Sequence, residues 1–353
     1  MDVSVICPVF NTHPSLITAA ARSVLDQAGP HRRELILADD ASTSLETQAA
    51  LREVAASDER VRLVVQSTNA GPGHARTAGV QHASHDWVGF IDADDLWPDG
   101  KLDHAQAMLQ ERPDTRWIGG AFTTLLPGGV MQRSRLLTQL GLPQEAGRLA
   151  RRLPAPGITR TLIGDWMPLG ASLMKRDLFE AAGGFDARLV YGEDWLLNLR
   201  LSTIAPMDYS ETSTYTVRRQ GLSMMRSPAR MTTKLVHSVQ IACRDPALQS
   251  VRRELRWFYY STCKDLAMNN ALNGRKLTAT LFALRALATD PREVQDILTF
   301  IRLLPAKGPA LMAGLQRYST AEQVILDQLG PQHGGALPEL VQKGKNGCGR
   351  LQH

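Results

Sequence analysis

Residues 87–98 read Trp-Val-Gly-Phe-Ile-Asp-Ala-Asp-Asp-Leu-Trp-Pro, a stretch in which strand-forming residues run directly into three carboxylates. Asp92 and Asp94 are two residues apart, so in an extended segment they project to the same side and can converge on one ion. Mg²⁺ and Mn²⁺ take oxygen ligands, and they are often coordinated jointly by carboxylates and the phosphates of a substrate. The stretch therefore indicates a metal-diphosphate site. The alternative is an acidic turn that caps the helix beginning near Lys101.

The chain before this stretch alternates strands with helices. Apolar runs predict strands at 3–9, 34–38, 61–65 and 87–91, and helical spacing predicts a helix after each of the first three. This alternation implies right-handed crossovers and a parallel sheet covered on both faces. A polar cluster follows each strand, at the edge where open parallel sheets bind ligands. The clusters are Asn11, Asp39 with Asp40, Asn69 with Gly71, and Asp92 with Asp94.

The segment of residues 125–160 differs in composition from its surroundings. It follows a predicted fifth strand at 117–124, contains several prolines and arginines, and is too long for an ordinary connection. Such segments are usually functional or disordered. We predict a lid or an acceptor loop here, with a mobile insertion as the alternative.

A second pair of carboxylates, Glu193 and Asp194, stands at the head of a predicted helix. It follows a predicted strand at 168–174 and a short helix at 176–182. The two side chains either stabilise the helix N-terminus through its dipole or take part in catalysis. Catalysis requires that they face the same edge of the sheet as Asp94.

The chain becomes helical from about residue 226, with amphipathic segments that include 277–288 and 294–304. Trp257 to Tyr260 lie beside Arg252, Arg253 and Arg256 and are candidates for contact with a membrane surface, although packing in a core or against a partner helix is the commoner role of such a stripe. Residues 332–353, rich in glycine and lysine, are predicted to be a disordered tail. We therefore expect a domain at 1–222, a helical region at 223–331 and this tail.

Composition excludes several classes of protein. The 353 residues carry a net charge of +5 with dispersed cations, so no stripe for nucleic acid is present. The four cysteines have no Cys-x-x-Cys spacing, which argues against a zinc site and favours reduced thiols. No run of 18 apolar residues and no secretion signal is found. These features are typical of a cytoplasmic protein.

Taken in order, the motifs resemble family 2 glycosyltransferases of the GT-A fold. The resemblance covers roughly residues 1–222 and implies an α/β fold, with a mostly parallel twisted sheet flanked by helices and followed by an all-helical C-terminal region. The stretches that carry it are Val3–Asn11, Ile36–Thr43, Asn69–Gly79, Asp92–Asp95 with Pro98 and Leu102, Gly183–Asp186 and Gly192–Trp195.

The resemblance implies an inverting transfer of a sugar from a nucleoside-diphosphate sugar, with a UDP-sugar favoured, to an acceptor hydroxyl. Family members use Mg²⁺ or Mn²⁺. Relatives of this architecture build bacterial surface polysaccharides on glycan or lipid-linked acceptors at the cytoplasmic face of the membrane. This implies peripheral contact with the membrane and no nucleic-acid partner.

The resemblance also implies roles for individual residues. Asp194 would be the general base, and Glu193 would assist it or contact the acceptor. Asp94, Asp92 and Asp95 would hold the metal. The remaining positions would bind the nucleotide sugar: Pro8, Phe10, Asn11, Asp39, Asp40, Gly71, Arg76, Asp92, Ala93 and Arg218. Of these, Arg76 would either approach the diphosphate region or brace the aspartates.

Several residues depart from the family pattern. Phe10 replaces the commoner Tyr, Ala41 a Gly, and Thr77 an Asn, while Arg218 and Arg219 stand where relatives often place another basic residue or a His. A dinucleotide-dependent oxidoreductase is excluded because Gly-x-Gly-x-x-Gly is missing after the first strand. A sugar nucleotidyltransferase lacks its Gly-rich basic loop here. The other alternative is a non-catalytic protein of the same fold that binds a nucleotide sugar or a partner enzyme.

Overall fold

The computed structural model describes residues 1–126, 128–129, 131–134, 136–139, 142, 147–155, 157–164, 167–219, 228–289, 298 and 301. The chain divides into two compact units. The first comprises Met1–Thr159 and Met167–Met224, and the second comprises Arg160–Trp166 and Met225–His353.

The strands of the described chain lie in one sheet of the first unit. They are β1 (Asp2–Val9), β2 (Arg32–Asp39), β3 (Val61–Val65), β4 (Trp87–Phe90), β5 (Trp117–Leu125), β6 (Met131–Arg133), β7 (Arg151–Leu153), β8 (Ser172–Lys175) and β9 (Met207–Arg218). Their order across the sheet is β3-β2-β1-β4-β8-β5-β9-β7, and β6 pairs with β5.

The first four strands form the parallel half of the sheet. β1 pairs in parallel with β2 and β4, and β2 pairs in parallel with β3. The crossovers are α1 (Pro14–Leu25), α2 (Leu45–Ser57) and α3 (Pro72–Gln81). β1 is buried on both faces between its neighbours, which explains why its apolar run is almost continuous. The predicted α/β class with a helical C-terminal region is confirmed.

Close contact between α3 and the sheet depends on Gly79. A Cβ atom at this position would overlap the side chain of Ile6 on β1. Its absence lets the backbone of α3 lie directly on the central strand. This contact holds the N-terminal turn of α3 near the carboxyl end of β1.

The other half of the sheet is mixed. β8 is antiparallel to β4 and β5, β7 is antiparallel to β9, and β5 is parallel to β9. The strand predicted at 168–174 is wrong in its first part, because Leu169–Ala171 form a 3-10 turn and the strand begins at Ser172. Gly170 in that turn packs against the ring of Tyr215, where a side chain would overlap.

Five further helices complete the elements that precede β9. They are α4 (Lys101–Glu111), α5 (Leu136–Gln139), α6 (Gly157–Gly164), α7 (Arg176–Ala181) and α8 (Glu193–Ile204). α7 ends at Gly183 and Gly184, both with positive φ, as the sequence predicts.

Within residues 125–160, several arginines form ion pairs in the sheet unit. Arg152 on β7 donates to the buried Asp208 at 3.0 and 2.8 Å and also to Asp114. Arg148 donates to Glu111 at 3.1 Å. These arginines anchor the segment to its own domain. A lid or acceptor loop formed by other residues of 125–160 stays a prediction, and part of this segment lies outside the described residues.

The second unit consists of helices in its described part. α9 (Pro228–Arg244) leads through a 3-10 turn to α10 (Arg252–Leu272) and α11 (Lys276–Thr289). Tyr259 and Tyr260 are buried, Phe258 is half-buried and Trp257 is exposed, so half of the predicted aromatic stripe belongs to the core. The predicted tail at 332–353 lies outside the described residues, as does the predicted helix at 294–304 apart from residues 298 and 301. Among the described helices, none combines the length and the hydropathy that a membrane-spanning helix needs.

Candidate active site

The carboxyl ends of the parallel strands meet in a network of side-chain to backbone hydrogen bonds. After β1, the Asn11 amide oxygen accepts from the N–H groups of Thr43 and Ser44 at 2.8 and 2.9 Å. The N–H of Asn11 itself donates to the Ser42 hydroxyl at 3.0 Å. Asn11 thus joins the turns that follow β1 and β2.

Asp39 and Asp40 at the end of β2 are both buried. Asp39 accepts from the N–H of Ser42 at 3.0 Å and so closes the turn after the strand. Asp40 accepts from the N–H groups of Ala70 and Gly71 at 2.9 and 2.8 Å. Asp40 therefore fixes the loop that leads into α3.

Phe10, Pro8 and Ala93 take different positions at this edge. The side chain of Phe10 is 47% exposed, which is unusual for a large apolar residue directly after a central strand. Pro8 is half-buried within β1, and Ala93 is buried between the two aspartates of the turn. Of the three, Phe10 is the one that offers a free aromatic surface to a ligand.

The acidic turn after β4 is held by residues of β9. The Tyr215 hydroxyl donates to Asp95 at 2.8 Å and accepts from the N–H of Asp92 at 3.1 Å. Asp95 also accepts from the N–H of Arg218 at 2.8 Å. The Arg218 guanidinium donates to the carbonyl of Asp94 at 2.5 Å. The conformation of the acidic turn therefore depends on β9.

Arg76 on α3 connects the two groups of predicted site residues. Its guanidinium donates to Asp92 at 2.6 Å and to Glu193 at 2.7 Å. Glu193 lies at the start of α8 and is 117 positions away in sequence. Arg76 and Glu193 are both buried, whereas the Asp92 carboxylate is half-exposed. The acidic turn and the N-terminus of α8 thus belong to one site.

The two acids at the head of α8 have different environments. Glu193 is buried, and Gly73 at the start of α3 lies against its side chain. Asp194 is more exposed and accepts from the N–H of Trp195 at 2.8 Å. Glu193 is therefore held by the protein, while Asp194 is the more accessible acid.

Burial and, after it, repulsion between neighbouring carboxylates raise the pKa values of several acids in the site. Burial raises the pKa of Asp94, and the charge of Asp92 raises it further. Burial, followed by Asp92 and Asp94, also raises the pKa of Asp95. Burial and Asp194 raise the pKa of Glu193, and Arg76 opposes this shift. The site therefore concentrates negative charge that a cation would stabilise.

The residues of the acidic turn are suited to a divalent cation that is shared with a substrate. No group of three or more His, Cys, Asp or Glu in the described residues is arranged to hold a metal ion unaided. Asp95 is hydrogen-bonded to Tyr215, and Asp92 to Arg76, which leaves Asp94 the most available of the three. Mg²⁺ is commonly held by one or two carboxylates and the substrate's phosphates, and hard oxygen donors suit it. The donor set fits such an ion.

Tyr215 was not among the residues selected from the sequence. Its strand, β9, was not predicted, so nothing in the linear pattern connected it with Asp92 or Asp95. The only local signal is the alternation of Tyr215, Val217 and the neighbouring polar residues. That signal predicts a strand but not its partners.

Comparison with known proteins agrees with this fold. Residues 4–163 match the model of the family described as glycosyl transferase family 2. The Staphylococcus aureus protein TarS, residues 1–349, in complex with UDP-GlcNAc superposes with a TM-score of 0.58 at 19% identity, covering 92% of this chain and 91% of that one. The mannosyltransferase PcManGT of Pyrobaculum calidifontis, in complex with GDP-Man and Mn²⁺, superposes with a TM-score of 0.52 at 20% identity. The match covers 90% of this chain and 86% of that one. The fold is therefore of the GT-A type.

Curated relatives share the N-terminal part of the chain. TuaG of Bacillus subtilis, named for teichuronic acid biosynthesis, is 37% identical over 31% of this chain and 42% of its own length. The succinoglycan biosynthesis protein ExoW of Rhizobium meliloti is 27% identical over 51% of this chain and 58% of its own length. The match thus spans less than two thirds of either relative. Residues 4–163 of this chain therefore resemble members of glycosyltransferase family 2.

Proposed function

We propose that the protein transfers a sugar from a nucleoside-diphosphate sugar to an acceptor hydroxyl in the synthesis of a polysaccharide. The observation that carries the proposal is the bridge from Asp92 through Arg76 to Glu193. It joins the acidic turn, which is suited to a diphosphate with its cation, to the acids of α8, which are suited to deprotonating an acceptor. Both halves of a transfer reaction are then in one site.

The proposed donor is a UDP-sugar. TarS was solved with UDP-GlcNAc, PcManGT with GDP-Man, and WfgD of Escherichia coli is named as a UDP-Glc-dependent glucosyltransferase. In this chain the exposed ring of Phe10 would pack against the base, and Pro8, Asn11, Asp39 and Asp40 would shape that end of the pocket. Gly71 and Ala93 leave room for the donor, and Arg218 supplies positive charge beside Asp94.

Asp94 and Asp92 would hold Mg²⁺ or Mn²⁺, with Asp95 supporting the turn behind them. When bound, the cation stabilises negative charge on the diphosphate leaving group. Arg218 lies beside the same turn, and a guanidinium there adds to that stabilisation. Arg76 holds Asp92 in place and opposes the rise in the pKa of the buried Glu193.

Asp194 is proposed as the general base. It accepts the proton of the acceptor hydroxyl, while the oxygen attacks the anomeric carbon and the bond to the diphosphate breaks. A single displacement inverts the configuration at that carbon and forms no covalent intermediate. Glu193 is engaged by Arg76 and is therefore better suited to orienting α8 and the acceptor than to taking the proton.

The acceptor is proposed to be a glycan or a lipid-linked glycan, and the protein to act at the inner face of the membrane. WfgD is named for an acceptor linked to diphosphoundecaprenol, and it shares 32% identity over 30% of this chain and 40% of its own length.

The test is a donor-hydrolysis and transfer assay with UDP- and GDP-sugars, with Mn²⁺ or with a chelator. We expect cation-dependent release of nucleoside diphosphate, its loss in Asp94→Ala, and a decrease of about 10²- to 10⁴-fold in turnover for Asp194→Asn with donor binding retained. Asp86→Asn, an exposed aspartate outside the site, is the control. Normal turnover in Asp194→Asn would make the base assignment wrong. Donor binding without any release would favour the non-catalytic alternative, and formation of a nucleotide sugar from a sugar phosphate would favour the nucleotidyltransferase.

A further inference from the structure

Lys101, the first residue of α4, is a buried lysine beside the acidic turn. It is only 3% exposed, and its amine donates to the carbonyl of Gly170 at 2.5 Å. Within the described part of the chain, no carboxylate forms an ion pair with it. Burial lowers the pKa of this amine well below its usual range, which favours the neutral form. Burying an amine is costly unless its polar atoms are used, so its contacts should indicate its role.

Two aromatic rings lie near the amine. Its nitrogen is 4.1 Å from the centre of the Trp97 ring and 5.9 Å from the centre of the Tyr215 ring. The shorter distance is that of an N–H group directed at the face of a ring. The amine of Lys101 therefore contacts the carbonyl of Gly170 and the ring of Trp97 directly, and Tyr215 lies in the next layer of side chains.

Trp97 connects the amine to the strand that precedes the acidic turn. The indole N–H donates to the carbonyl of Phe90, the last residue of β4, at 3.1 Å. The backbone N–H of Trp97 donates to the hydroxyl of Ser23 on α1 at 3.1 Å. Gly89 lies against the same ring, where a Cβ atom would be 3.0 Å from it. The ring is therefore held by β4 and α1, and it gives the amine of Lys101 a fixed support.

Gly170 connects the amine to the residue that holds the acidic turn. A Cβ atom at Gly170 would overlap the ring of Tyr215, so the backbone of the 3-10 turn lies directly on that ring. The Tyr215 hydroxyl in turn donates to Asp95 and accepts from the N–H of Asp92. The hydrogen bond from the amine to the Gly170 carbonyl therefore restrains the surface against which Tyr215 packs.

Lys101 does not act on the carboxylates through its charge. The cation that lowers the pKa of Asp94, against the effect of burial, is Arg218. Lys101 itself has no carboxylate partner among the described residues. A methionine of similar length would fill the same space, but it could not donate to the carbonyl of Gly170. The hydrogen bond is therefore what a lysine contributes at this position.

We propose that Lys101 is a positioning residue of the cation site. Its amine holds the turn at Gly170 against the ring of Tyr215, and Tyr215 then keeps Asp92 and Asp95 in the arrangement that a divalent cation requires. The inference rests on the proposed function, because it assigns Lys101 to the same cation site. Loss of the amine should weaken binding of the cation more than it slows the chemical step.

The test is the affinity of the full chain for Mn²⁺ in the presence of UDP or GDP, measured by electron paramagnetic resonance of the free ion. We expect Lys101→Met and Tyr215→Phe each to bind Mn²⁺ about tenfold more weakly, the usual effect of losing one hydrogen bond. The double variant should bind no more weakly than the weaker single variant, because both changes act through the same contact. In donor hydrolysis, the KM for Mn²⁺ should rise with a smaller change in kcat.

Lys264→Met is the matched control. It removes a buried lysine of the helical unit, which lies 5.8 Å from the centre of the Tyr260 ring, and it should leave the affinity for Mn²⁺ unchanged. Lys101→Gln is the conservative variant, since its amide is one atom shorter but still donates. It should bind Mn²⁺ with an affinity between those of Lys101→Met and the wild type, and it replaces Lys101→Met if that variant does not fold.

Wild-type affinity for Mn²⁺ in Lys101→Met, or a loss no larger than that of Lys264→Met, would overturn the inference. So would losses that multiply in the double variant, or wild-type affinity in Lys101→Gln if it is the variant that folds. Absence of Mn²⁺ binding by the wild type with either nucleotide would overturn the inference together with the cation site. Binding of Mn²⁺ and nucleotide without any release of nucleoside diphosphate from donors would contradict the proposed function alone.

Discussion

Arg76 is the residue on which the site's assembly depends most. It is buried, and it places one positive charge between Asp92 and Glu193, both of which lie within hydrogen-bond distance. The forked guanidinium can donate to two carboxylates at once, which an ammonium group cannot do with the same geometry. Burial lowers the pKa of Arg76, whereas the charges of Asp92 and Glu193 raise it. The net shift is upward, so Arg76 stays charged.

Replacing Arg76 with methionine should destabilise the fold, because Glu193 would be left buried without its cation. The expected loss is about 3–5 kcal/mol at neutral pH, the usual cost of removing one partner of a buried ion pair. The loss should shrink under acidic conditions, because burial already raises the pKa of Glu193 and protonation then removes its charge as pH falls through that pKa.

Urea unfolding at neutral and acidic pH measures this effect. The free energy of unfolding of Arg76→Lys should lie between those of the methionine variant and the wild type. Arg52→Met, which removes an exposed arginine, should change stability by less than about 0.5 kcal/mol. A small loss of stability in Arg76→Met that does not depend on pH would contradict the role given to the bridge from Asp92 through Arg76 to Glu193.

Two positions show how far residue types alone predict the site. Asn11 and Ala41 have positive φ values of 48° and 56°. Asn is the residue besides Gly that commonly adopts this conformation, so the role of Asn11 in a turn was predictable. Ala41 replaces the glycine of the family pattern, and the structure keeps the glycine-like conformation despite the Cβ atom. The departure from the pattern therefore leaves the turn intact.

At the level of elements, the sequence did not predict the strands β6, β7 and β9, of which β9 is the longest. Strand prediction relies on alternating apolar residues, but Asp208, Ser210 and Thr214 are buried polar positions of β9. Each is satisfied by a residue remote in sequence. Arg152 and Thr115 bind Asp208, His104 binds Ser210, and the carbonyl of Ala171 accepts from Thr214. From its sequence alone, a buried strand with this many polar residues is predicted to be a loop, because the residues that satisfy its polar groups are remote in sequence.

The Tyr215→Phe variant tests the contribution of β9 to the site. Loss of the hydroxyl removes the donor to Asp95 and leaves the N–H of Asp92 without its acceptor, which should loosen the acidic turn. We expect the KM for Mn²⁺ and for the donor to rise about tenfold, with a smaller change in kcat and a stability loss of about 1–3 kcal/mol. Tyr209→Phe, at a buried tyrosine of the same strand, is the control. An unchanged KM with a stability loss equal to that of the control would mean that Tyr215 serves the fold alone.

At the level of the whole molecule, the predictable part was the parallel half of the sheet. Its strands carry apolar runs, its helices carry regular spacing, and the polar clusters follow each strand, so local patterns were sufficient. The mixed half depends on pairings such as β5 with β9, whose register shifts between Gly120 and Phe122. The link from Arg76 to Glu193 likewise depends on how α3 and α8 meet, which no local pattern contains. The residue types of the site were therefore predictable, but their connections were not.

The central claim is that the acidic turn binds a nucleoside diphosphate together with a divalent cation. Isothermal titration calorimetry of UDP and GDP into the full chain, with Mn²⁺ or with a chelator, tests it most directly. We predict that one of the two, with UDP favoured, binds only when Mn²⁺ is present, and that Asp94→Asn abolishes this binding while Asp86→Asn retains it. Absence of binding of either nucleotide to the folded wild type with Mn²⁺, or equal binding by Asp94→Asn, would contradict the claim.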